Sequence, residues 1–335
     1  MSAEKARWRR DTLAKDIYNR LFRWIHGQCN VCLQDVASSS DFKDYYVGVL
    51  DFPGFAESES EGSSLSRLLM NYASERFQKF YNEKIFTAEM EKYKQEKLKY
   101  QKIEFNNNDT VVKLMDSQQR PEGLFSQLEA LASRSTGASA AQEAAFLTKL
   151  ETIQLQRNVV EVHKAEKDVK PSFDVLYNNG SVRFETQGLI DQNRESVERL
   201  PAMRNMYAAM KSSDQFLVSE IYGEGFTDEF SRGSHHASGQ VTRQYVSEIK
   251  HLFGEELMRL ECLFVRCIRP NDVARPDFVQ PSIVRRQLKS LNVSSSVRFQ
   301  QVGFPIRRLY RSFFLELFVA VRRVCILTIT RDLKN

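Results

Sequence analysis

Asp51 and Gly54, in the spacing Asp-x-x-Gly, are the residues of this chain whose types most directly suggest chemistry. A carboxylate placed so can reach toward the shell of a Mg²⁺ ion. A glycine three residues on offers a bare backbone N–H to a terminal phosphate, with no Cβ in the way. Phe52 and Phe55 flank the pair. Such a sensor has to sit at the end of something rigid. The run Tyr45-Tyr46-Val47-Gly48-Val49-Leu50 is apolar and rich in β-branched and aromatic residues, which predicts a buried strand over 45–51. Beyond the loop, Leu65, Leu68, Leu69, Tyr72, Phe77 and Phe80 recur at helical spacing, predicting a helix from Ser63-Ser64 to about Tyr100. Strand, phosphate-sensing loop and long helix together can carry a phosphate signal away from its site. The four residues alone fit any strand-to-turn junction equally well.

The chain has 335 residues, 42% of them hydrophobic, enough for a sizeable core and more than one subdomain. A net charge of +5 suits an acidic partner surface without demanding one, and no nucleic acid is expected as partner. The five cysteines are too few and too irregular for a disulfide framework, which points to a reducing, cytoplasmic compartment. Cys29-x-x-Cys32 lacks a second pair, and His235-His236 lies in a Gly/Ser-rich loop, so neither is expected to hold a metal. No apolar run is long enough for a membrane span, and the charged N-terminus is no signal peptide.

Around the central stretch, the periodicity predicts an amphipathic helix over 8–29, with Leu13, Ile17, Leu21, Trp24 and Ile25 on one face, and a polar loop over 33–43. Arg120-Pro121-Glu122-Gly123-Leu124 is predicted to open a helix that runs through Leu131, and a second helix is predicted from about Gln142 to Leu150. Strands are predicted over 152–185, with a turn at Asn178-Asn179-Gly180. A long helix striped by Val241, Tyr245, Ile249, Leu252, Phe253 and Leu257 is predicted to run into a strand at Leu263–Ile268, stopped by Arg269-Pro270-Asn271.

Several blocks, in order and at matching separations, resemble a myosin motor domain. Leu50-Asp51-Phe52-Pro53-Gly54-Phe55 resembles the switch II loop, and Asn71 to Asn82 the relay helix. Phe173 to Phe184 is similar to the transducer hairpin. Phe264-Val265-Arg266-Cys267-Ile268-Arg269-Pro270-Asn271 resembles a central-sheet strand. Val284 to Val302 resembles the thiol-helix region, and Gly303-Phe304-Pro305 the converter entry. The resemblance implies an α/β fold of the P-loop nucleotidase type, mostly helical with part of a central mixed sheet built from 45–51, 173–185 and 263–268. The implied organisation is a lead-in helix and loop (1–43), the switch II strand with relay helix and loop (44–105), and an actin-binding lower subdomain with the transducer hairpin (106–222). A loop 2-like linker (223–240), a long helix and sheet strand (241–280), the thiol helices (281–303) and a partial converter (304–335) follow.

The same resemblance assigns Asp51, Phe52, Gly54 and Phe55 to nucleotide binding, with Asp51 toward Mg²⁺ when ATP is bound. Pro121, Glu122, Gly123, Leu124, Ile249, Lys250, Leu252 and Phe253 fall to actin contact, and Asn292, Gly303, Phe304 and Pro305 to the hinge and converter. Implied partners are actin filaments and the N-terminal half of the head, and the implied place is the cytoplasmic cytoskeleton. Asn292 stands at a fulcrum glycine of the family, and asparagine tolerates positive φ better than most residues.

The departures bear on mechanism. No Gly-x-x-x-x-Gly-Lys-Ser/Thr cradle and no switch I string occur in the 335 residues; in the family both lie upstream of the part matched here. Family switch II ends Gly-Phe-Glu, whereas Ala56 stands here and can neither pair with an arginine nor orient a water. Pro53 with a non-Glu after Phe55 resembles the class-eighteen myosins. Mg-ATP is therefore the cofactor expected of a complete head, with none bound by this chain alone. The 223–240 stretch has little positive charge for steering toward actin. A motor head is one expectation and a non-enzymatic actin-binding or scaffold module the other. A different switch nucleotidase is disfavoured by the 264–271 and 303–310 blocks.

Overall fold

The computed structural model describes residues 3–38, 47–52, 54–133, 140–157, 159–164, 170–194, 204–223, 240–303, 308–319 and 321. Among them, no helix is long and apolar enough to cross a membrane. The chain divides into two compact units: Met1–Ser74 with Val112–Val175 and Val182–Leu252, and Glu75–Val111 with Leu176–Ser181 and Phe253–Asn335.

The first unit begins with α1 (Ala3–Ser38), longer at both ends than the expected 8–29, so Leu33 to Ser38 is helical where a loop was predicted. Asp16 and Arg20 fix its inner face: Arg20 Nη1 donates to the Ile221 carbonyl at 3.2 Å, and the Tyr222 hydroxyl donates to Asp16 at 2.9 Å. Ile25 departs from its predicted face and is exposed. Helix α2 (Ser64–Asn82) starts where its periodicity predicts, burying Leu65, Leu68, Leu69 and Tyr72 in this unit.

Three strands form one sheet in the order β1 (Val160–His163), β2 (Ser172–Tyr177), β3 (Gly180–Glu185). β1 and β2 run antiparallel, Val160 facing Val175 and Val162 facing Phe173. Alternation puts Val160, Phe173, Val175, Val182 and Phe184 inside, where Phe173 stacks on Phe184 and meets Phe146 edge-on. Phe146 belongs to α6 (Ala140–Arg157), which packs on β1 and extends through the stretch 152–157 that was expected to be strand. Before it, α4 (Asp109–Asp116) and α5 (Leu124–Ala132) bury Leu114, Met115, Leu124, Phe125 and Leu128. After the sheet, α7 (Leu189–Arg194), α8 (Arg204–Lys211), α9 (Phe216–Ile221) and α10 (Val241–His251) complete the unit. Asn193 ties α7 to α10, its Oδ1 accepting from both the backbone N and the hydroxyl of Thr242 at 2.9 Å.

In the second unit, α2 passes into one π turn (Glu83–Thr87) and then α3 (Ala88–Gln95). The helix ends there rather than near Tyr100, because Lys97 takes positive φ and Leu98 N closes onto the Tyr93 carbonyl. Tyr81, Phe86, Tyr93, Ile103 and Phe299 form the core of this unit. Helix α11 (Pro281–Ser290) opens with a proline at its first turn, and α12 (Val293–Val302) follows after two residues.

Two of the three expected sheet strands are corrected. Residues 47–51 and 263–268 are extended but form no strand among the described residues; Tyr45 and Tyr46 lie outside them. Val47 and Val49 are 95% and 91% exposed, and Leu263 and Val265 are 100% and 84% exposed. A strand exists only through a hydrogen-bonded neighbour, and the described residues offer these segments none. The sheet that does form is small and antiparallel, with helices dominating elsewhere, in keeping with a mixed α/β chain.

Candidate functional site

The loop 51–57 belongs to the first unit and is held from the side of α2. Asn71, fully buried, offers its amide in both senses: Oδ1 accepts from Ala56 N at 2.8 Å and Nδ2 donates to Ala56 O at 3.0 Å. The side chain thus pairs with one backbone residue as a neighbouring strand would. Ala56 is 1% exposed, so position 56 points into packed protein. Ahead of that clamp, Phe52 and Phe55 are half-buried, and Asp51 and Gly54 face solvent. The Cβ side of Gly54 meets nothing within 4 Å, leaving room for a ligand atom against its backbone. Pro53 lies outside the described residues.

The expected actin-contact positions divide between surface and interior. Glu122 is exposed and Pro121 half-buried, while Leu124 and Ile249 are core residues. Gly123 is fixed by close approach: a Cβ there would stand 2.7 Å from Met115 O and Ser117 N, and its own N–H donates to Ser117 O at 2.7 Å. Lys250 turns inward, its ammonium 3.2 Å from both the Asp116 carboxylate and the Asp116 carbonyl. The Tyr72 hydroxyl donates to the same carboxylate at 2.9 Å. Asp116 therefore joins α2, α4 and α10, a role nothing in its sequence neighbourhood signals. Leu252 is half-buried. In the second unit, Phe253 is buried against Phe77 and Phe80.

In the second unit Asn292 takes φ 56, ψ 21, the left-handed conformation its sequence position suggested. Its side chain does more than tolerate that backbone. Nδ2 donates to Asn82 Oδ1 and to Asn106 O, both at 2.9 Å, and Oδ1 accepts from Asn106 N at 2.8 Å. Gln78 Nε2 donates to Asn82 Oδ1 at 3.0 Å, and Arg266 Nη2 donates to Gln78 Oε1 at 3.1 Å. The Arg266 guanidinium also stands over the Tyr81 ring at 4.0 Å and the Phe77 ring at 4.7 Å. Burial lowers its pKa, with Tyr81 acting in the opposite sense. Nearby, Asn108 Nδ2 donates to Glu75 Oε2 at 2.5 Å and to Glu75 O at 2.8 Å. Burial raises the Glu75 carboxyl from 4.5 to about 7, the Asn108 hydrogen bond opposing that shift. Gly303 is half-buried, and Phe304 and Pro305 lie outside the described residues, as does 224–239 with its two histidines.

The sequence model of the myosin head (motor domain) matches residues 1–332. The chain belongs to the myosin head family. The myosin-I heavy chain of Dictyostelium discoideum is 26% identical over 308 residues, covering 91% of this chain and 12% of that protein. Unconventional myosin-Ic of Bos taurus is 27% identical over 321 residues, or 93% of this chain and 28% of its own. Myosin heavy chain IB of Acanthamoeba castellanii is 26% identical over 306 residues, or 91% and 25%. The chain thus spans less than a third of the length of these relatives.

In this myosin head chain the sequence singles out Asp51, Gly54 and Asn292 as candidates, and the structure adds the amides that hold Ala56 and Asn292. Asn71 lies inside a block whose likeness is to the relay helix, and Asn106 to Asn108 lie in the polar stretch after it. The available signal was composition: Asn71, Gln78 and Asn82 interrupt an otherwise apolar helix face, and buried amides require partners.

Proposed function

We propose that this chain is the carboxyl-terminal half of an actin-based motor head, contributing actin contact and the moving helices to a complete ATP-driven unit in the cytoplasmic cytoskeleton. The observation that carries this reading is the pair of bare segments. Val47, Val49, Leu263 and Val265 lie in segments of strand composition, yet stand in solvent. Exposed β-forming edges associate with other chains unless covered. The remaining half of a head, with a phosphate cradle, is the proposed cover. In that complex Asp51 would face Mg²⁺ and the Gly54 N–H the γ-phosphate of ATP, with Phe52 and Phe55 flanking. The open side of Gly54 fits such an approach, but two contacts do not replace a cradle, so the isolated chain would bind no nucleotide. Glu122 with Pro121 is the exposed part of the proposed actin surface. Asn292 and Gly303 lie on the proposed path to the converter.

Co-expression with the phosphate-loop half of a myosin head tests this. A soluble one-to-one complex that protects the amides of 47–50 and 263–268 from hydrogen exchange and binds a fluorescent ATP analogue supports it. A soluble monomer with those segments unprotected in the mixture overturns it.

A second reading, an actin-binding module without turnover, is favoured by Ala56. Its side chain is buried, and Asn71 holds its backbone through two hydrogen bonds. In the reconstituted complex, unchanged actin cosedimentation with ATP turnover at background would select this reading. Actin-activated turnover that Ala56→Glu does not raise would remove it.

A further inference from the structure

The outer face of the three-stranded sheet carries a cluster that the motor reading does not use. The register sets Glu161 directly opposite Asp174 and places His163 two residues along β1 on the same face. His163 Nε2 stands 3.2 Å from Asp174 Oδ2. One ligand atom each from Glu161, His163 and Asp174 lie within 4.8 Å of one another. Two carboxylates directly opposed across a strand pair repel, so this spot favours a cation. Arg183 on β3 supplies one: Nε and Nη2 donate to Asp174 Oδ1 and Oδ2 at 2.8 and 3.1 Å, and Nη2 lies 3.3 Å from His163 Nε2. The same Nε2 thus lies within reach of both the Arg183 guanidinium and the Asp174 carboxylate.

We propose that Glu161, His163 and Asp174 bind a divalent transition-metal ion of the zinc type, with Arg183 holding the same position when no metal is present. The donor set argues for this class of ion. One imidazole and two carboxylates suit zinc and its neighbours, whereas magnesium and calcium take oxygen ligands throughout. In a tetrahedral zinc site the donor atoms stand roughly 3.4 Å apart. The His163–Asp174 pair is already near that spacing. Glu161 is exposed and has the rotamer freedom to close the remainder. The arginine side chain is 55% exposed, so it has solvent to swing into when a metal takes its place at Asp174. The strand ladder supplies the rigidity that loops lack. The fourth position is left to water.

The test uses the whole chain carrying Cys29→Ser, Cys32→Ser, His235→Asn and His236→Asn, which removes the two closely spaced pairs of competing thiols and imidazoles. Zn²⁺ is titrated while the His163 imidazole nitrogens are followed by NMR. The site predicts a saturable one-to-one shift at Nε2 that excess Mg²⁺ does not reverse. His163→Gln should weaken calorimetric binding by about tenfold or more, and Arg183→Ala should tighten it by removing the resident cation. Asp174→Asn serves as a second ligand variant, its fold checked by circular dichroism. An unshifted His163 at millimolar Zn²⁺, equal affinity in His163→Gln, or weaker binding in Arg183→Ala would each overturn the proposal.

Discussion

The hairpin 172–185 and the segment 263–268 begin from the same kind of sequence and end in different states. Both are rich in strand-forming residues, and both contain phenylalanine, valine and an arginine. In the hairpin, each strand has a neighbour and each inward side chain meets α6 or another strand. In 263–268 only alternate residues find partners. Phe264 packs edge-on against Tyr81 at 5.0 Å, and Arg266 reaches Gln78, while Leu263 and Val265 meet solvent. Pattern decides which side of an extended chain faces inward. A ladder forms only when a second backbone supplies the other half of its hydrogen bonds. The bare segment is therefore held from one face, by aromatic packing and a polar network.

The strongest attack on this comparison is a paired set of truncations. Phe173→Ala opens a cavity beneath the sheet and should cost roughly 3–5 kcal/mol, read from denaturant midpoints. Val265→Ala, on the bare side of the other segment, should stay within about 0.5 kcal/mol. Phe264→Ala should fall between them, since its ring is only partly buried. If Val265→Ala proved as damaging as Phe173→Ala, the segment would have a partner and the contrast would fail.

Next in size is the pH dependence of the polar interior that the second unit relies on. Glu75 is buried without an ion pair among the described residues, and its folded pKa of about 7 lies above the ordinary 4.5. The folded state therefore binds the proton more tightly than the unfolded chain. The stability this contributes is complete below about pH 4.5 and is lost as pH rises through 7, by an amount on the order of 3 kcal/mol. Glu75→Gln should flatten that slope while keeping a hydrogen-bonding group beside Asn108. A variant whose stability still fell by the same amount between pH 5 and 8 would place the titrating group elsewhere.

How much of this was legible beforehand follows the same division. Core helices announced themselves by period: α2 begins at Ser64 as the apolar spacing indicates, and α5 falls within the expected helix, because burial of one face is a local property of the sequence. The turn at Asn178–Gly180 was equally local. The strands at 45–51 and 263–268 were not, because strand pairing is a property of two segments and composition describes only one. The switch-like loop was legible as Asp51 and Gly54, but its clamp at Asn71 was not, since a side chain that imitates a strand leaves no periodic trace. Gly123 stands among the expected contact residues, whereas the backbone of Met115 and Ser117 would lie 2.7 Å from any Cβ placed on it, a constraint visible only in three dimensions.

A smaller and more selective effect is expected at Asn292. Glycine accepts φ 56 without strain, so Asn292→Gly leaves the backbone allowed while removing the bonds to Asn82 and Asn106. The Asn106 N–H and carbonyl lose partners where the loop meets α2, and the expected cost is about 1–3 kcal/mol. Because Asn82 connects through Gln78 to Arg266, the loss should also loosen the segment that has no ladder of its own. Hydrogen exchange distinguishes a local effect from a connected one. Faster exchange at Asn106 accompanied by faster exchange across 264–268 would mean that the amide network substitutes for sheet pairing. Faster exchange at Asn106 with 264–268 unchanged would mean that aromatic packing around Phe264 suffices alone, and the role assigned to the polar network would be withdrawn.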